Sequence, residues 1–156
     1  MNVLRRTLLK GTGAAGTVAV ALAVGLLKPG QVLASEWNKP AFDSKGIIDA
    51  LKGVGGTTAV DSKDIIIKAP DIAENGAVVP VEVTSKIPGT ESISILIEKN
   101  DRPLIAVFNM LNGAESFIST RVKMAQTSDV KILVKAGGKV YTAKKEVKVT
   151  IGGCGG

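Results

Sequence analysis

One residue in this chain of 156 carries most of its chemistry: Cys154, the only cysteine, set in the string Gly152-Gly153-Cys154-Gly155-Gly156. A thiolate is both a nucleophile and a metal ligand. A lone cysteine, however, cannot build the clustered-cysteine sites that hold zinc or iron–sulfur groups, nor the Cys-x-x-Cys pair usual in thiol oxidoreductases. No histidine occurs anywhere, which removes the commonest general base and metal ligand. The carboxylates are scattered. Asp61 and Asp64 stand near each other, but in a turn-like stretch before a strand, where Asp serves as a loop charge or a cap. No nucleophile and base pair can be drawn, so the sequence argues against an independent enzyme, a metal site or a bound cofactor.

A structural cysteine is normally buried or bonded to a second cysteine of its own chain. Cys154 has no such partner, and the glycines on both sides remove every neighbouring side chain while allowing almost any backbone angle. Five residues at 3.3–3.6 Å each extend about 17 Å. The pattern predicts a thin, flexible arm, residues 152–156, that can carry a thiol into a groove too narrow for an ordinary peptide. The carboxylate of Gly156, two residues away, opposes a second negative charge nearby, so the thiol is expected to react slowly until a partner's pocket activates it.

The elements that must position this arm begin after a leader. Residues 4–10 read LRRTLLK, and the stretch from Gly11 to Leu27 is apolar and almost chargeless, with VLA just before Ser35. That is a basic segment, an apolar segment and a small-residue cleavage site, with the cut expected after Ala34. The pair Arg5 and Arg6 marks it as a twin-arginine signal of a bacterium, and so predicts export to the periplasm. The apolar run is shorter than the roughly 20 residues that span a bilayer, so no membrane segment is expected after cleavage. The string GTGAAG at Gly11, Gly13 and Gly16 fits the dinucleotide-binding pattern G-x-G-x-x-G, but it falls in the leader and not between a strand and a helix.

Without residues 1–34 the chain has 122 residues, one ordinary domain. The leader holds Arg5, Arg6, Lys10 and Lys28 and no acid, so the formal charge of +6 falls to +2. The remaining basic residues alternate along apparent strands and do not cluster with aromatics, which argues against nucleic acid as a partner. An unpaired cysteine in an exported protein points to an interchain bond or a reactive free thiol. A homodimer or other assembly closed by a Cys154 disulfide is therefore the alternative to a presenting arm. The paired glycines favour the arm, because a flexible tether weakens a structural crosslink.

Between leader and arm, residues 35–151 form the predicted body. From Ala41 the stretch AFDSKGIIDALKGVGG puts Phe42, Ile47, Ile48 and Leu51 near one face of a short helix that stops at Gly53, Gly55 and Gly56. Beyond it the apolar period is two: Val79, Val81 and Val83; Ile93, Ile95 and Ile97; Val122 and Met124; Val147, Val149 and Ile151. Turn formers separate these runs, among them Glu74-Asn75-Gly76, Pro88-Gly89, Asn112-Gly113 and Gly137-Gly138. About seven strands follow, near 65–69, 77–85, 92–99, 104–110, 115–125, 129–136 and 140–151. Short strands at this spacing predict an all-β fold, an immunoglobulin-like antiparallel β-sandwich with the helix at one end or across an edge. Trp37, Phe108 and Phe117 fit core or interface equally well.

The arginine-pair leader, a body carrying APDIAENGAVVPVEV (Ala69 to Val83) and STRVKMAQTSDV (Ser119 to Val130), and the terminal IGGCGG together resemble the SoxY family, the carrier subunit of the periplasmic Sox thiosulfate-oxidising system. The likeness runs along essentially the whole chain, and the terminal motif is its specific part. It implies that Cys154 is the covalent attachment site for sulfur intermediates, and that Gly152, Gly153, Gly155 and Gly156 form the arm. It further implies a heterodimer with a SoxZ-like β-sandwich subunit. A c-type cytochrome complex would conjugate thiosulfate to the thiol, and a manganese hydrolase would release sulfate. The remaining sulfane sulfur would be oxidised by a sulfur dehydrogenase or passed elsewhere. A partner subunit exported as a passenger on this chain's signal would explain a route that moves folded proteins.

Overall fold

The computed structural model describes residues 38–111 and 113–151. The leader, Trp37, Asn112 and the predicted arm with Cys154 lie outside the described residues. Among the described residues two short helices come first, α1 (Lys39–Phe42) and α2 (Ile47–Gly53), then one 3-10 turn, Gly56–Thr58. Nine strands follow: β1 (Val60–Asp61), β2 (Ile65–Lys68), β3 (Ile72–Ala73), β4 (Val79–Ser85), β5 (Thr90–Ile97), β6 (Leu104–Asn109), β7 (Phe117–Val122), β8 (Ser128–Ala136) and β9 (Lys139–Val149). The larger sheet runs β1-β9-β8-β5-β6, with β3 also pairing to β9, and the smaller one runs β2-β4-β7. The chain crosses between sheets after β1, β2, β3, β4, β6 and β7, giving an immunoglobulin-like all-β sandwich.

Every second residue of the long strands points between the sheets. Val79, Val81 and Val83 of β4, Ile93, Ile95 and Ile97 of β5, and Val130, Ile132 and Val134 of β8 are fully buried there, with Val122, Met124 and Val147. The alternation of apolar and polar residues is what specifies this register, because a slip by one residue would turn each set to water. The hairpin joining β8 to β9 is closed by Gly137 and Gly138, both at positive φ (55° and 72°), between the paired Ala136 and Lys139. Two left-handed residues in a two-residue loop match the twist of the flanking strands.

Three features depart from the expectations. The single predicted helix is two helices, interrupted at 43–46. They lie neither at an end nor across an edge but on the outer face of the larger sheet, where Ala41 and Ala50 cluster with Leu96, Leu104 and Leu133. Strand β5 is therefore buried on both faces over Ile93–Ile97, and Leu96 sits beneath the helices. Ile48, expected on the apolar face, is 64% exposed, since only Phe42, Ile47 and Leu51 turn toward that second cluster. The third departure is the pair of two-residue strands β1 and β3, too short to leave a periodic signal.

Asn38 joins the helix pair. Its Oδ1 accepts from the N–H of Ala41 (3.3 Å) at the start of α1, and its Nδ2 donates to the carbonyl of Gly53 (2.7 Å) at the end of α2. Gly53 is glycine because α1 passes so close: a Cβ there would stand 2.5 Å from Ala41 Cβ.

Candidate functional site: the root of the arm

The residues expected to do chemistry, Cys154 with Gly152, Gly153, Gly155 and Gly156, lie outside the described residues, but the point from which they depart is well defined. Strand β9 is paired on both sides. Antiparallel β8 runs along its whole length, from Ser128↔Val147 to Ala136↔Lys139. On the other side β1 pairs in parallel near its start (Val60↔Tyr141) and β3 near its end (Ile72↔Lys148, Ala73↔Val149).

Bonding continues past the end of the strand. The N–H of Lys148 donates to Asp71 O (3.0 Å), that of Thr150 to Ala73 O (3.1 Å), and the hydroxyl of Thr150 to Glu74 O (3.1 Å). From the β8 side, Thr127 Oγ1 accepts from the N–H of Val149 (2.9 Å). The carbonyl of Ile151, the last described residue, then accepts from Gly76 N (2.8 Å). Gly76 in turn offers its own carbonyl to Met124 N (2.7 Å). A turn at Asn75, whose Oδ1 accepts from Ala77 N (2.8 Å), swings the chain from β3 toward β4 and places Gly76 between the two.

The alternation Val147, Val149, Ile151 fades toward this root. Val147 is fully buried, Val149 packs partly on the sandwich core, and Ile151 is 70% exposed. Ile151 lies where the sandwich ends, so its main chain is held while its side chain meets water.

The segments Ala69 to Val83 and Ser119 to Val130 thus build the root: the first supplies β3, the Asn75 turn and Gly76, the second Met124 and Thr127. Sequence reasoning missed Thr127 and Thr150 as contributors. Only the Asn75-Gly76 turn signal pointed at this place.

Asp61 lies in β1 beside Thr142, and the N–H of Asp64 donates to Ser62 Oγ (3.2 Å), so both are local structural residues. Phe108 packs against the sandwich core, whereas Phe117 is 41% exposed. Among the described residues, no three of His, Cys, Asp and Glu come together as metal ligands, and no helix is long and apolar enough to cross a membrane. Two titratable groups are displaced from their ordinary values. The Asp43 carboxyl is lowered by the hydrogen bond from Lys39 and by nearby Arg102, and the Lys144 ammonium is raised by its bond to Asp129. Both belong to exposed pairs, and neither touches the root.

Comparison with known proteins agrees with this geometry. No curated protein matches the chain. Among solved structures, the sulfur carrier protein SoxY from Chlorobium limicola f thiosulfatophilum is 45% identical, covers 67% of this chain and 96% of its own, and superposes with a TM-score of 0.61. A superoxide reductase (neelaredoxin) from Ignicoccus hospitalis is 16% identical, covers 60% of this chain and 97% of its own with a TM-score of 0.52, and shares the fold alone. The family model of the sulfur oxidation protein SoxY matches residues 51–154, from the second helix through the cysteine. The chain belongs to the SoxY family.

Proposed function

We propose that this protein is a covalent sulfur carrier in thiosulfate oxidation, with no catalysis of its own. The observation that carries the reading is the extent of the family match: it runs through residue 154, so the single thiol falls inside the family's pattern. The β-sandwich is the handle, and the chain beyond Ile151 presents Cys154 to partner enzymes.

In the first step the Cys154 thiol and thiosulfate are joined through a new S–S bond, giving Cys–S–S–SO3− and releasing one proton and two electrons. A c-type cytochrome complex takes the electrons. In the second, water cleaves the terminal S–S bond, leaving Cys–S–SH with sulfate and a proton. A manganese hydrolase supplies that chemistry, and the metal belongs to the partner. The persulfide sulfur is then oxidised by a sulfur dehydrogenase or passed on. A SoxZ-like subunit completes a heterodimer, exported with this chain to the periplasm by the signal containing Arg5 and Arg6.

Intact-mass measurement of the protein from cells grown on thiosulfate tests this directly. Additions on the peptide containing Cys154 that match thiosulfate, sulfonate or extra sulfur, and that vanish with reductant, are expected. A bare thiol, or only a Cys154–Cys154 dimer under all conditions, would instead make the chain an assembly module closed by an interchain disulfide.

A further inference from the structure

At the end of the sandwich where the chain leaves β9, hydrogen bonds tie the segments that flank the strands to one another. Ile151 O accepts from Gly76, and Gly76 O accepts from Met124. The buried side chain of Asn100 then clamps the residues on either side of Met124, donating to Lys123 O (2.7 Å) and accepting from Ala125 N (3.0 Å). Between the Asn100 loop, the start of β6 and the end of β7 opens a groove of about 300 Å³.

Its apolar lining includes Leu104 and Val122, and its cations are Arg102, Arg121 and Lys123; no carboxylate lines it. Three lysines of β8 and β9 sit against acids, Lys131 on Glu98 and Lys144 on Asp129, each at 2.9 Å, and Lys135 on Glu91 at 3.7 Å. Among the described residues Arg121 and Lys123 have no such partner. Arg102 reaches only Asp43, at 4.0 Å, whose other oxygen is held by Lys39.

The groove is within reach of the arm. Two hydrogen-bonded steps separate Ile151 from Met124, the residue next to the groove's Lys123, about 10 Å at the usual strand spacing. Cys154 stands three residues beyond Ile151, a span of up to about 10–11 Å, and any sulfur chain on the thiol extends it further.

We propose that this groove is a resting dock for the arm's own cargo: the sulfonate end of a thiosulfate conjugate on Cys154, held by Arg121 and Lys123 with Arg102 at the rim. The proposal rests on the carrier reading above. A sulfonate offers three acceptor oxygens and a full negative charge to a groove that has cations and no anions, and a guanidinium can donate to two such oxygens at once. The bare thiol offers neither. Exposed ion pairs of this kind are worth a factor of about two to five, enough to bias the loaded arm toward the body and weak enough for an enzyme to take it.

The test uses protein isolated from cells grown on 15N medium and loaded chemically. The Cys154 thiolate attacks tetrathionate, forming Cys–S–S–SO3− and expelling one thiosulfate, with no net electron transfer. A second sample carries a neutral carboxamidomethyl group on the same sulfur. The backbone and guanidinium NMR signals of Asn100, Arg121 and Lys123 should shift only in the first sample, and the shifts should collapse at 1 M salt. In R121Q/K123Q, two exposed changes that leave the fold intact, those shifts should be lost and dithiothreitol should release the adduct about two- to fivefold faster. Equal spectra for the two adducts, or shifts that persist in the double variant, overturn the dock. The cellular mass measurement fails separately: adducts in cells without docking sink only this inference, whereas no adducts in cells sink the carrier reading.

Discussion

Gly76 and Ile151, 75 residues apart in sequence, share a backbone hydrogen bond of 2.8 Å, made by the last of the described residues before the segment that contains the thiol. With Thr150 bonded to Ala73 and Glu74, it anchors the base of the predicted arm. The amides of Gly76 and Thr150 should therefore be protected from hydrogen exchange in the native protein. Thr150→Val removes the hydroxyl bond while keeping the shape, and should cost about 0.5–1 kcal/mol in urea unfolding, with faster exchange at Gly76. Free exchange of both amides in the unaltered protein would mean that the root is open.

Narrowness is the property the glycines are expected to confer on the arm. Gly153→Val should leave the melting temperature unchanged and reduce sulfur release by partner enzymes about tenfold or more, because small misplacements at a reacting centre are costly. Unaltered turnover with this variant would show that the partner pockets do not require glycine.

Gly53 presents two opposed effects whose magnitudes decide the sign. Replacing a helical glycine by alanine normally stabilises by up to about 1 kcal/mol. Here the new methyl would stand 2.5 Å from Ala41 Cβ and 2.9 Å from Ala41 Cα, and the second of these is backbone. Overpacking of that kind costs about 1–3 kcal/mol, so Gly53→Ala should destabilise the fold. A raised melting temperature would show that the two helices separate at little cost.

Asn100→Ala should be among the more damaging polar substitutions, at about 1–3 kcal/mol, because it leaves Lys123 O and Ala125 N without their partner at a buried position. Calorimetry of the variant provides the check. A loss below about 0.5 kcal/mol, the size expected of an ordinary surface change, would mean that water replaces the side chain.

Asp43 gives a small, signed dependence on pH. Its folded-state carboxyl titrates below the ordinary 3.8 because Lys39 and Arg102 favour the charged form. The resulting stabilisation is present above pH 3.8 and is lost as pH falls through the lower folded-state value. The difference in melting temperature between the unaltered protein and Asp43→Asn should thus be largest near neutrality and shrink under acid. A constant difference from pH 6 to pH 2.5 would remove Asp43 as the source.

Strands β4, β5 and β9 were legible in the sequence because the face turned to the sandwich core writes a period of two, and the Gly137-Gly138 hairpin because its turn geometry calls for paired glycines. The second cluster was hidden. Leu96 and Leu133 lie inside continuous apolar runs, where period gives no sign that the second face is also covered. The residue best suited to chemistry, Cys154, was legible from composition alone. Its anchorage was not, since it depends on pairings such as Ala73 with Val149 that no local pattern records. The basic groove was obscured in the same way: Arg121 and Lys123 alternate like any solvated strand face, and only the approach of the β5–β6 loop makes them line a hollow.

The double-sided pairing of β9 also has a mechanical consequence. A load applied beyond Ile151 along the strand falls across many transverse hydrogen bonds at once, from β8 on one side and from β1 and β3 on the other. Peeling would break them one at a time, but axial shear must strain them together. The last strand is thus braced against tension applied through the chain that follows it.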